Sequence, residues 1–318
     1  MVKRVLLILA GVVVLGVGLV LGFFYGLRPR VRPAQDLHAP TSPEAIERGR
    51  YLSEHVLGCA GCHSEIDDTR PGDFLKPGTE YGGRIFEIPA DFPGTLAGAN
   101  ISSDPETGIG AWTDGEIVRA IREGIGKDGH TIFPIMNYKA YRRLSDEDVL
   151  AVVAYLRTRP PIRRVIPPPD INFPVSMFIR MLPEPVEHSP AAWPDDPAAR
   201  GELLLEVMGC KDCHSPMERG AIVADKLYAG GMCFEGRFGK VCSPNISSHD
   251  AAGIGKWTDA DLKRVFREGG GRDGRKLWVM PWSMYRGLTD TDLDALILAL
   301  RKVPARSDLS PPSELKQP

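Results

Sequence analysis

The sequence has little charge imbalance, few alternating β-branched stretches and few cysteines. Its 318 residues carry a formal net charge of −2, and no segment gathers lysine and arginine into a basic stripe, so a general nucleic-acid binder is not expected. The scarcity of alternating β-branched residues favours helices over strands. Of the six cysteines, four fall in two copies of one pattern.

That pattern is C-x-x-C-H, present as Cys59-Ala-Gly-Cys-His63 and Cys210-Lys-Asp-Cys-His214. It is the attachment signal for c-type haem. Two thiols one helical turn apart can each bond a vinyl group of one porphyrin, and the next histidine then lies under the iron. A single C-x-x-C also fits a redox pair or half a zinc site. Here each copy has its own histidine and the copies are far apart, so we predict two covalently attached haem groups.

The predicted haem-binding residues follow directly from the two motifs. The thiols are the tethers and the histidines are the proximal iron ligands. In order, the tethers are Cys59, Cys62, Cys210 and Cys213, and the ligands are His63 and His214.

One long stretch lacks charge altogether, the 21 residues from Val5 to Tyr25. As a helix it would rise about 30 Å, the thickness of the bilayer hydrocarbon. No small-x-small cleavage site follows before Arg28, so we expect an uncleaved anchor, with a cleaved signal peptide as the alternative. Positive charges flank the stretch almost equally and do not fix its orientation. Because c-type haem is attached outside the bacterial inner membrane, we expect the soluble part in the periplasm.

An internal repeat follows each haem motif at an offset of 145 residues. The segments Asn100-Ile-Ser-Ser, Gly108-Ile-Gly-Ala-Trp-Thr and Arg122-Glu-Gly return as Asn245-Ile-Ser-Ser, Gly253-Ile-Gly-Lys-Trp-Thr and Arg267-Glu-Gly. The two copies, called the first and second repeat below, predict two domains of one design.

Helix signals recur in both repeats. Ser42-Pro43 and Asp196-Pro197 predict the start of the first helix. Thr113 and Thr258 predict capped starts of the second, which Gly124 and Gly269 end. Ser145 and Thr289 precede the last, whose apolar residues recur with helical spacing and predict a buried stripe. That stripe comprises Val149, Val152, Val153 and Leu156, matched by Leu293, Leu296, Ile297 and Leu300.

Between the repeats, residues 159–197 contain eleven prolines, which favours an extended linker. Its apolar residues Phe173, Met177, Phe178 and Met181 suggest that part of it packs on a domain surface. The tail after Ala305 is polar and expected to be loose. We therefore divide the chain into an anchor (1–30), a first domain (40–160), a linker (161–195), a second domain (196–305) and a tail (306–318).

A second axial ligand is expected for each iron, and in cytochromes c it is commonly methionine, which raises the reduction potential. Met136 is the one methionine between Ala39 and Pro160. In the second repeat five compete, but Met280 precedes Leu288 by eight residues as Met136 precedes Leu144. We predict Met136 and Met280 as ligands, with Met284 the runner-up.

Other polar residues have two interpretations each. Trp112 and Trp257 are either propionate donors or core aromatics. For Asn100 and Asn245 turn formation is favoured over propionate binding. The remaining histidines that do not repeat in register, His55, His130 and His249, are expected at the surface.

Cys233 and Cys242 have no counterpart in the first repeat. An oxidising compartment favours a disulfide between them. The alternative is that one thiolate replaces Met280 on the second iron, which would give a low-potential haem.

Taken in order, the two C-x-x-C-H motifs, the repeated segments above, Asp-Gly and a following methionine resemble class I cytochromes c. More narrowly, they are similar to the cytochrome c subunits of membrane-bound alcohol, aldehyde and gluconate dehydrogenases. The similarity covers about Ser42 to Leu300 without the linker. It implies an all-α fold with two tandem class I cytochrome c domains, each with one haem held by histidine and methionine. Those subunits usually carry three such domains, and this chain has two.

The expected function is electron transfer by a membrane-anchored periplasmic diheme cytochrome. Its partners would be redox proteins: a dehydrogenase subunit, a quinol-linked complex or a terminal oxidase. Filled His/Met coordination would leave no open position on either iron. The alternative is a diheme enzyme of thiosulfate dehydrogenase or peroxidase type with one catalytic haem. The two extra cysteines keep the thiosulfate dehydrogenase type open, because it needs an axial cysteine.

Overall fold

Helices dominate the computed structural model, which describes residues 2–26, 31–88, 92–218 and 220–316, without the side chains at 24 and 25. The anchor's residues 27–30, with Arg28 and Arg30, lie outside these ranges. In chain order the helices are α1 (Val2–Gly26), α2 (Pro43–Tyr51), α3 (Cys59–His63), α4 (Asp114–Glu123), α5 (Tyr138–Tyr141), α6 (Asp146–Arg157), α7 (Val175–Ile179), α8 (Pro197–Val207), α9 (Cys210–Cys213), α10 (Asp259–Glu268), α11 (Trp282–Tyr285) and α12 (Asp290–Lys302).

Helix α1 is long and apolar enough to cross a membrane, and the residues from Val2 to Phe23 are all exposed. Such a helix near the N-terminus fits either a membrane anchor or a signal sequence. The apolar stretch expected from the sequence is therefore a helix, as predicted.

The first and last helices of each repeat pack together, α2 on α6 and α8 on α12. Close approach is possible because a glycine lies at each crossing. A Cβ at Gly49 would overlap the backbone of Ala151, and one at Gly201 would overlap that of Ala295. The predicted apolar stripes of α6 and α12 are buried, and each of their residues is at most 3 % exposed.

The predicted helix starts are confirmed in both repeats. Ser42 Oγ accepts a hydrogen bond from Ala45 N at 3.2 Å, and Asp196 Oδ1 accepts one from Ala199 N at 2.8 Å. Thr113 and Thr258 each form a complete capping box. Side chains therefore satisfy amide groups that have no partner within their own helix.

The predicted ends of the second helices are also confirmed. Gly124 and Gly269 follow α4 and α10 with φ of 70° and 65°. Glycine adopts this left-handed conformation without a Cβ penalty.

Short strands, which the sequence did not predict, connect the helices. They are β1 (Arg84–Ile85), β2 (Gly94–Thr95), β3 (Ala97–Gly98), β4 (Asp170–Ile171), β5 (Met217–Glu218), β6 (Ala221–Ile222), β7 (Cys233–Gly236), β8 (Gly239–Cys242) and β9 (Glu314–Leu315). The pairs β1–β3, β2–β4 and β5–β6 are two-stranded, and β7, β8 and β9 form one antiparallel sheet.

The linker is bound to the first repeat along much of its length. Met177 is buried at 7 % exposure, as expected for a packed segment, but Phe173, Phe178 and Met181 are about half exposed or more. The strand pair β2–β4 joins the linker to the first repeat.

The tail is not loose over residues 306–316, contrary to expectation; residues 317 and 318 lie outside the described ranges. Strand β9 pairs with β8, and Ser313 Oγ accepts a hydrogen bond from Cys242 N at 3.0 Å. A polar composition predicted mobility, but the edge of β8 supplies backbone partners for the tail.

Candidate haem site

Each haem motif forms a short helix that begins at a left-handed glycine. Gly58 (φ 62°) precedes α3 and Gly209 (φ 67°) precedes α9. In the first repeat β3 lies directly against the helix, since a Cβ at Gly98 would overlap the carbonyl of Cys62.

The two motif histidines make the same hydrogen bond. The Nδ1 of His63 lies 2.7 Å from the carbonyl oxygen of Ala99, and the Nδ1 of His214 lies 2.8 Å from that of Pro244. A carbonyl only accepts, so Nδ1 carries the proton and Nε2 keeps its lone pair. A carbonyl on Nδ1 is the usual outer-shell arrangement of a metal-bound histidine.

The surroundings of these side chains favour neutral forms. Burial lowers the pKa of both His63 and His214. Burial also raises the pKa of Cys59 to about 11 and that of Cys210 to about 12. Each imidazole is thus unprotonated at Nε2 near neutral pH, as a metal ligand must be.

Buried polar atoms of the first repeat fit a bound haem. The guanidinium of Arg84 lies within electrostatic range of Cys62, and its buried Nε has no hydrogen-bond partner among the described residues. The hydroxyl of Tyr138 is likewise buried without a partner in the described part of the chain. Buried groups of this kind are normally satisfied, and a haem propionate is an acceptor for either one. The residues present therefore fit the group.

The two predicted distal methionines occupy equivalent places. Each lies half-buried against the core just before a short helix. The carbonyl of Met136 accepts a hydrogen bond from Tyr138 N at 2.7 Å, and that of Met280 accepts one from Trp282 N at 2.8 Å. The runner-up Met284 differs, because its buried side chain lies against Gly58 and Gly61 of the first repeat.

The asparagines form turns, as favoured from the sequence. Asn100 Oδ1 accepts from Ser102 N at 3.0 Å, and its Nδ2 donates to Ile162 O at 2.7 Å. Asn245 repeats this, accepting from Ser247 N at 2.9 Å and donating to Arg306 O at 2.8 Å. Both ends of each amide are used within the protein.

The tryptophans remain with both interpretations open. Trp112 and Trp257 are half-buried against the core. Their carbonyls accept from the guanidinium groups of Arg157 and Arg301.

The surface prediction is confirmed for one histidine and wrong for two. His130 is exposed, beside Asp128. His55 is half-buried, because its Nδ1 bonds Met284 O at 2.8 Å across the two repeats. His249 is half-buried, because its Nδ1 accepts from the backbone of Ala251 and Ala252.

The predicted disulfide is confirmed, since Cys233 and Cys242 are bonded. They are directly paired residues of β7 and β8. The bond leaves neither residue a free thiolate for iron.

Sequence reasoning missed a repeated serine and tyrosine beside the motifs. Ser64 and Ser215 follow the histidines and are fully buried. Their hydroxyls accept from the amides of Tyr81 and Tyr228, both at 3.0 Å, and both tyrosines have positive φ. The signal was present, because C-H-S and Tyr-x-Gly occur in both repeats. Positive φ in a bulky residue is strained and is typical of functional sites.

Comparison with known proteins identifies relatives along most of the chain. The cytochrome subunit of fructose dehydrogenase from Gluconobacter japonicus is 30% identical over 295 residues, 89% of this chain and 57% of that protein. The cytochrome c subunit of alcohol dehydrogenase (quinone) from Gluconacetobacter polyoxogenes is 32% identical over 279 residues, 81% of this chain and 56% of that protein. This chain thus spans little more than half the length of either subunit. No protein-family model matches the chain.

A further relative matches along most of both lengths. The diheme cytochrome c-type protein of Cereibacter sphaeroides is 30% identical over 261 residues, 78% of this chain and 82% of that protein. These relatives are c-type cytochromes, the class of proteins that bind haem covalently. Within that class, the chain belongs to the family of c-type cytochromes that includes this diheme protein and the dehydrogenase subunits. Covalently bound haem and electron transport are properties of this family.

Proposed function

We propose that the protein is a membrane-anchored periplasmic diheme cytochrome, with two tandem all-α cytochrome c domains that relay electrons from a dehydrogenase or a quinol-linked donor to a respiratory acceptor. The observation that carries this proposal is the duplicated histidine geometry. In both repeats the C-x-x-C-H histidine donates from Nδ1 to a backbone carbonyl, so its Nε2 keeps a lone pair that iron could bind.

Each repeat would hold one haem through its own residues. In the first, the tethers are Cys59 and Cys62, and the axial ligands are His63 and Met136. In the second, the tethers are Cys210 and Cys213, and the ligands are His214 and Met280. When bound, the haem iron supplies one-electron exchange between its ferric and ferrous states. The chain contributes the orientation of each imidazole, the shielding of the site and the donors for propionates, of which Arg84 is one.

Membrane attachment is supported by α1 and by the segment that follows it. Arg32 donates from Nε and Nη2 to Glu123 Oε1 at 2.9 and 2.6 Å, and Ala39 N donates to Asp114 Oδ2 at 2.7 Å. The first domain would therefore lie close to the membrane. The Cys233–Cys242 disulfide is consistent with an oxidising compartment such as the periplasm.

A dehydrogenase is the favoured donor because several relatives are named as cytochrome subunits of dehydrogenases. The enzyme alternative that needs an axial cysteine loses its support, since the two candidate cysteines are bonded to each other.

The proposal is tested by redox titration of the purified full chain with visible and near-infrared spectroscopy. We expect two haems with His/Met charge-transfer bands and high potentials. Met136→Ala and Met280→Ala should each abolish the thioether–iron band of one haem and lower its potential. Met284→Leu is the matched control and should leave both bands. A wild-type protein with a ligand-exchangeable or low-potential haem would contradict the proposal and favour a catalytic second domain.

A further inference from the structure

The two repeats contact each other through matched elements. Helix α11 of the second repeat packs on the π-helical turn Leu52–Val56 at the end of α2, and α5 of the first repeat packs on α8. Helices α5 and α11 are equivalent, because each follows the candidate distal methionine of its repeat. In both contacts, this helix of one repeat packs on the first helical segment of the other repeat. We call this pair of contacts the junction.

Both haem-attachment helices lie in the junction. A Cβ at Gly61, between Cys59 and Cys62, would lie 3.0 Å from Met284 Cε, and one at Gly58 would lie 3.4 Å from Met284 Sδ. On the other side, Asn137 Nδ2 lies 3.4 Å from Asp212 Oδ2, between Cys210 and Cys213. Each attachment helix is thus touched by the other repeat, immediately beside its cysteines.

Polar contacts hold this arrangement in register. His55 Nδ1 donates to Met284 O at 2.8 Å, and Arg143 forms an ion pair with Glu206. His55 and Glu206 occupy the same position relative to their C-x-x-C-H motifs, so the two contacts correspond. The hydroxyl of Tyr51 in the first repeat also donates a hydrogen bond to the carboxylate of Asp292 in the second repeat. This carboxylate is 4 % exposed, so the contact between the repeats is buried.

We infer that the junction is the internal contact through which the two repeats exchange electrons, and that Gly61 and Met284 are the positioning pair that sets the separation of the two attachment helices. The inference rests on the proposed function. With haem bound in both repeats, one electron would leave the ferrous iron of one repeat and reduce the ferric iron of the other. No bond is made or broken. Tunnelling falls steeply with distance, so a junction that opens should slow the transfer.

The test uses the haem-loaded full chain and two readouts, the iron–iron distance from pulsed EPR of the ferric form and the rate of inter-haem equilibration after a laser-induced partial reduction. Gly61→Leu fills the space of the Met284 side chain and should lengthen the distance and slow equilibration. The double variant Gly61→Leu with Met284→Ala frees that space and should restore both. Asn137→Ala is a second variant, on the α9 side, for which we expect a change in the same direction.

The outcomes separate the inference from the proposed function. Restoration in the double variant, with both His/Met spectra intact throughout, supports the positioning role. An unchanged distance and rate in Gly61→Leu and in Asn137→Ala would overturn it while leaving the proposed function in place. A wild-type protein without two haems would instead overturn the proposed function itself.

Discussion

At the scale of single residues, one amide in each repeat joins the loop after the haem motif to the chain beyond the last helix. Asn245 is 3 % exposed, and its Nδ2 donates to the carbonyls of Arg306 and Asp308. Asn100 does the same with Ile162 and Arg164. The side chain is therefore a structural tie between segments about 60 residues apart.

Replacing this amide should destabilise the fold. Asn245→Ala leaves the Asp308 carbonyl and the Ser247 amide without their side-chain partner, and the Arg306 carbonyl keeps only the long bond from Ser247 Oγ. We expect a loss of about 1–3 kcal/mol in the free energy of unfolding. The exposed Asn172 is the control, and Asn172→Ala should change stability by about 0.5 kcal/mol or less. Denaturant titration of both variants checks this, and equal midpoints would contradict it.

A second residue-scale prediction concerns acid stability. Hydrogen bonds from the amide and hydroxyl of Thr107 hold the pKa of Asp104 below its usual 3.8. A carboxyl with a lowered folded pKa contributes stability that is present above its unfolded value and is lost as pH falls through the folded value. Asp104→Asn keeps an acceptor but cannot titrate, so the variant should lose less stability than wild type between about pH 5 and pH 3. Parallel acid-unfolding curves for the two proteins would contradict this role.

In the second repeat, His249 occupies the position of Asp104, and its imidazole accepts similar hydrogen bonds. His249 Nδ1 accepts from Ala251 N at 3.2 Å and Ala252 N at 3.0 Å. A protonated imidazole has no acceptor. The position thus needs an acceptor, which the neutral ring supplies, and this is why a histidine expected at the surface is half-buried.

At the scale of elements, the crossing of the first and last helices depends on Gly49 and Gly201. Gly201→Ala places a methyl group on the Ala295 carbonyl of α12. Overpacking of this kind costs about 1–3 kcal/mol or more when backbone must move. Gly270→Ala is the control, because its Cβ would lie 3.6 Å from the nearest heavy atom, in the flexible Arg264 side chain. Thermal unfolding should separate the two variants, and a Gly201→Ala protein as stable as the control would contradict tight packing at this crossing.

Helix ends and buried stripes were predictable because both are local. Ser42, Thr113 and Gly124 act on amides or carbonyls within a few residues, so spacing along the chain suffices. Strand β9 and the burial of His55 were not predictable in this way. Both depend on partners more than 70 residues away, β8 and Met284, which no periodicity encodes.

At the same scale, part of the candidate haem site was predictable from local sequence and part was not. The proposed tethers and imidazole ligands were predicted from the C-x-x-C-H pattern alone. The carbonyl partners of the imidazoles, Ala99 and Pro244, belong to loops 30 or more residues further on. Only the folded chain brings them to the ring.

At the scale of the whole molecule, the segment after α1 fixes the first repeat near the end of the apolar helix. Glu123, 4 % exposed in its side chain, binds Arg32 and also accepts from Val186 N of the linker at 3.0 Å. A Cβ at Gly115 would overlap the backbone of Gln35, so the segment lies directly on α4. Residues 27–31 separate Gly26 from the contact between Arg32 and Glu123, which we call the clamp.

If α1 anchors the protein in a membrane, as proposed above, the five-residue connection should raise the effective concentration of the first repeat at the membrane. Inserting ten Gly/Ser residues after residue 30 triples the five-residue connection, and the local concentration should fall about fivefold by the −3/2 power of length. We expect reduction by a quinol-linked donor in the same membrane to slow by a similar factor, while reduction by a soluble donor stays unchanged. Glu123→Gln weakens the clamp and should act in the same direction. Unchanged rates of reduction by the membrane donor in both variants would show that electrons do not enter through a tethered first repeat. If they did, the rate would depend on the length of the connection that holds the first repeat near the donor.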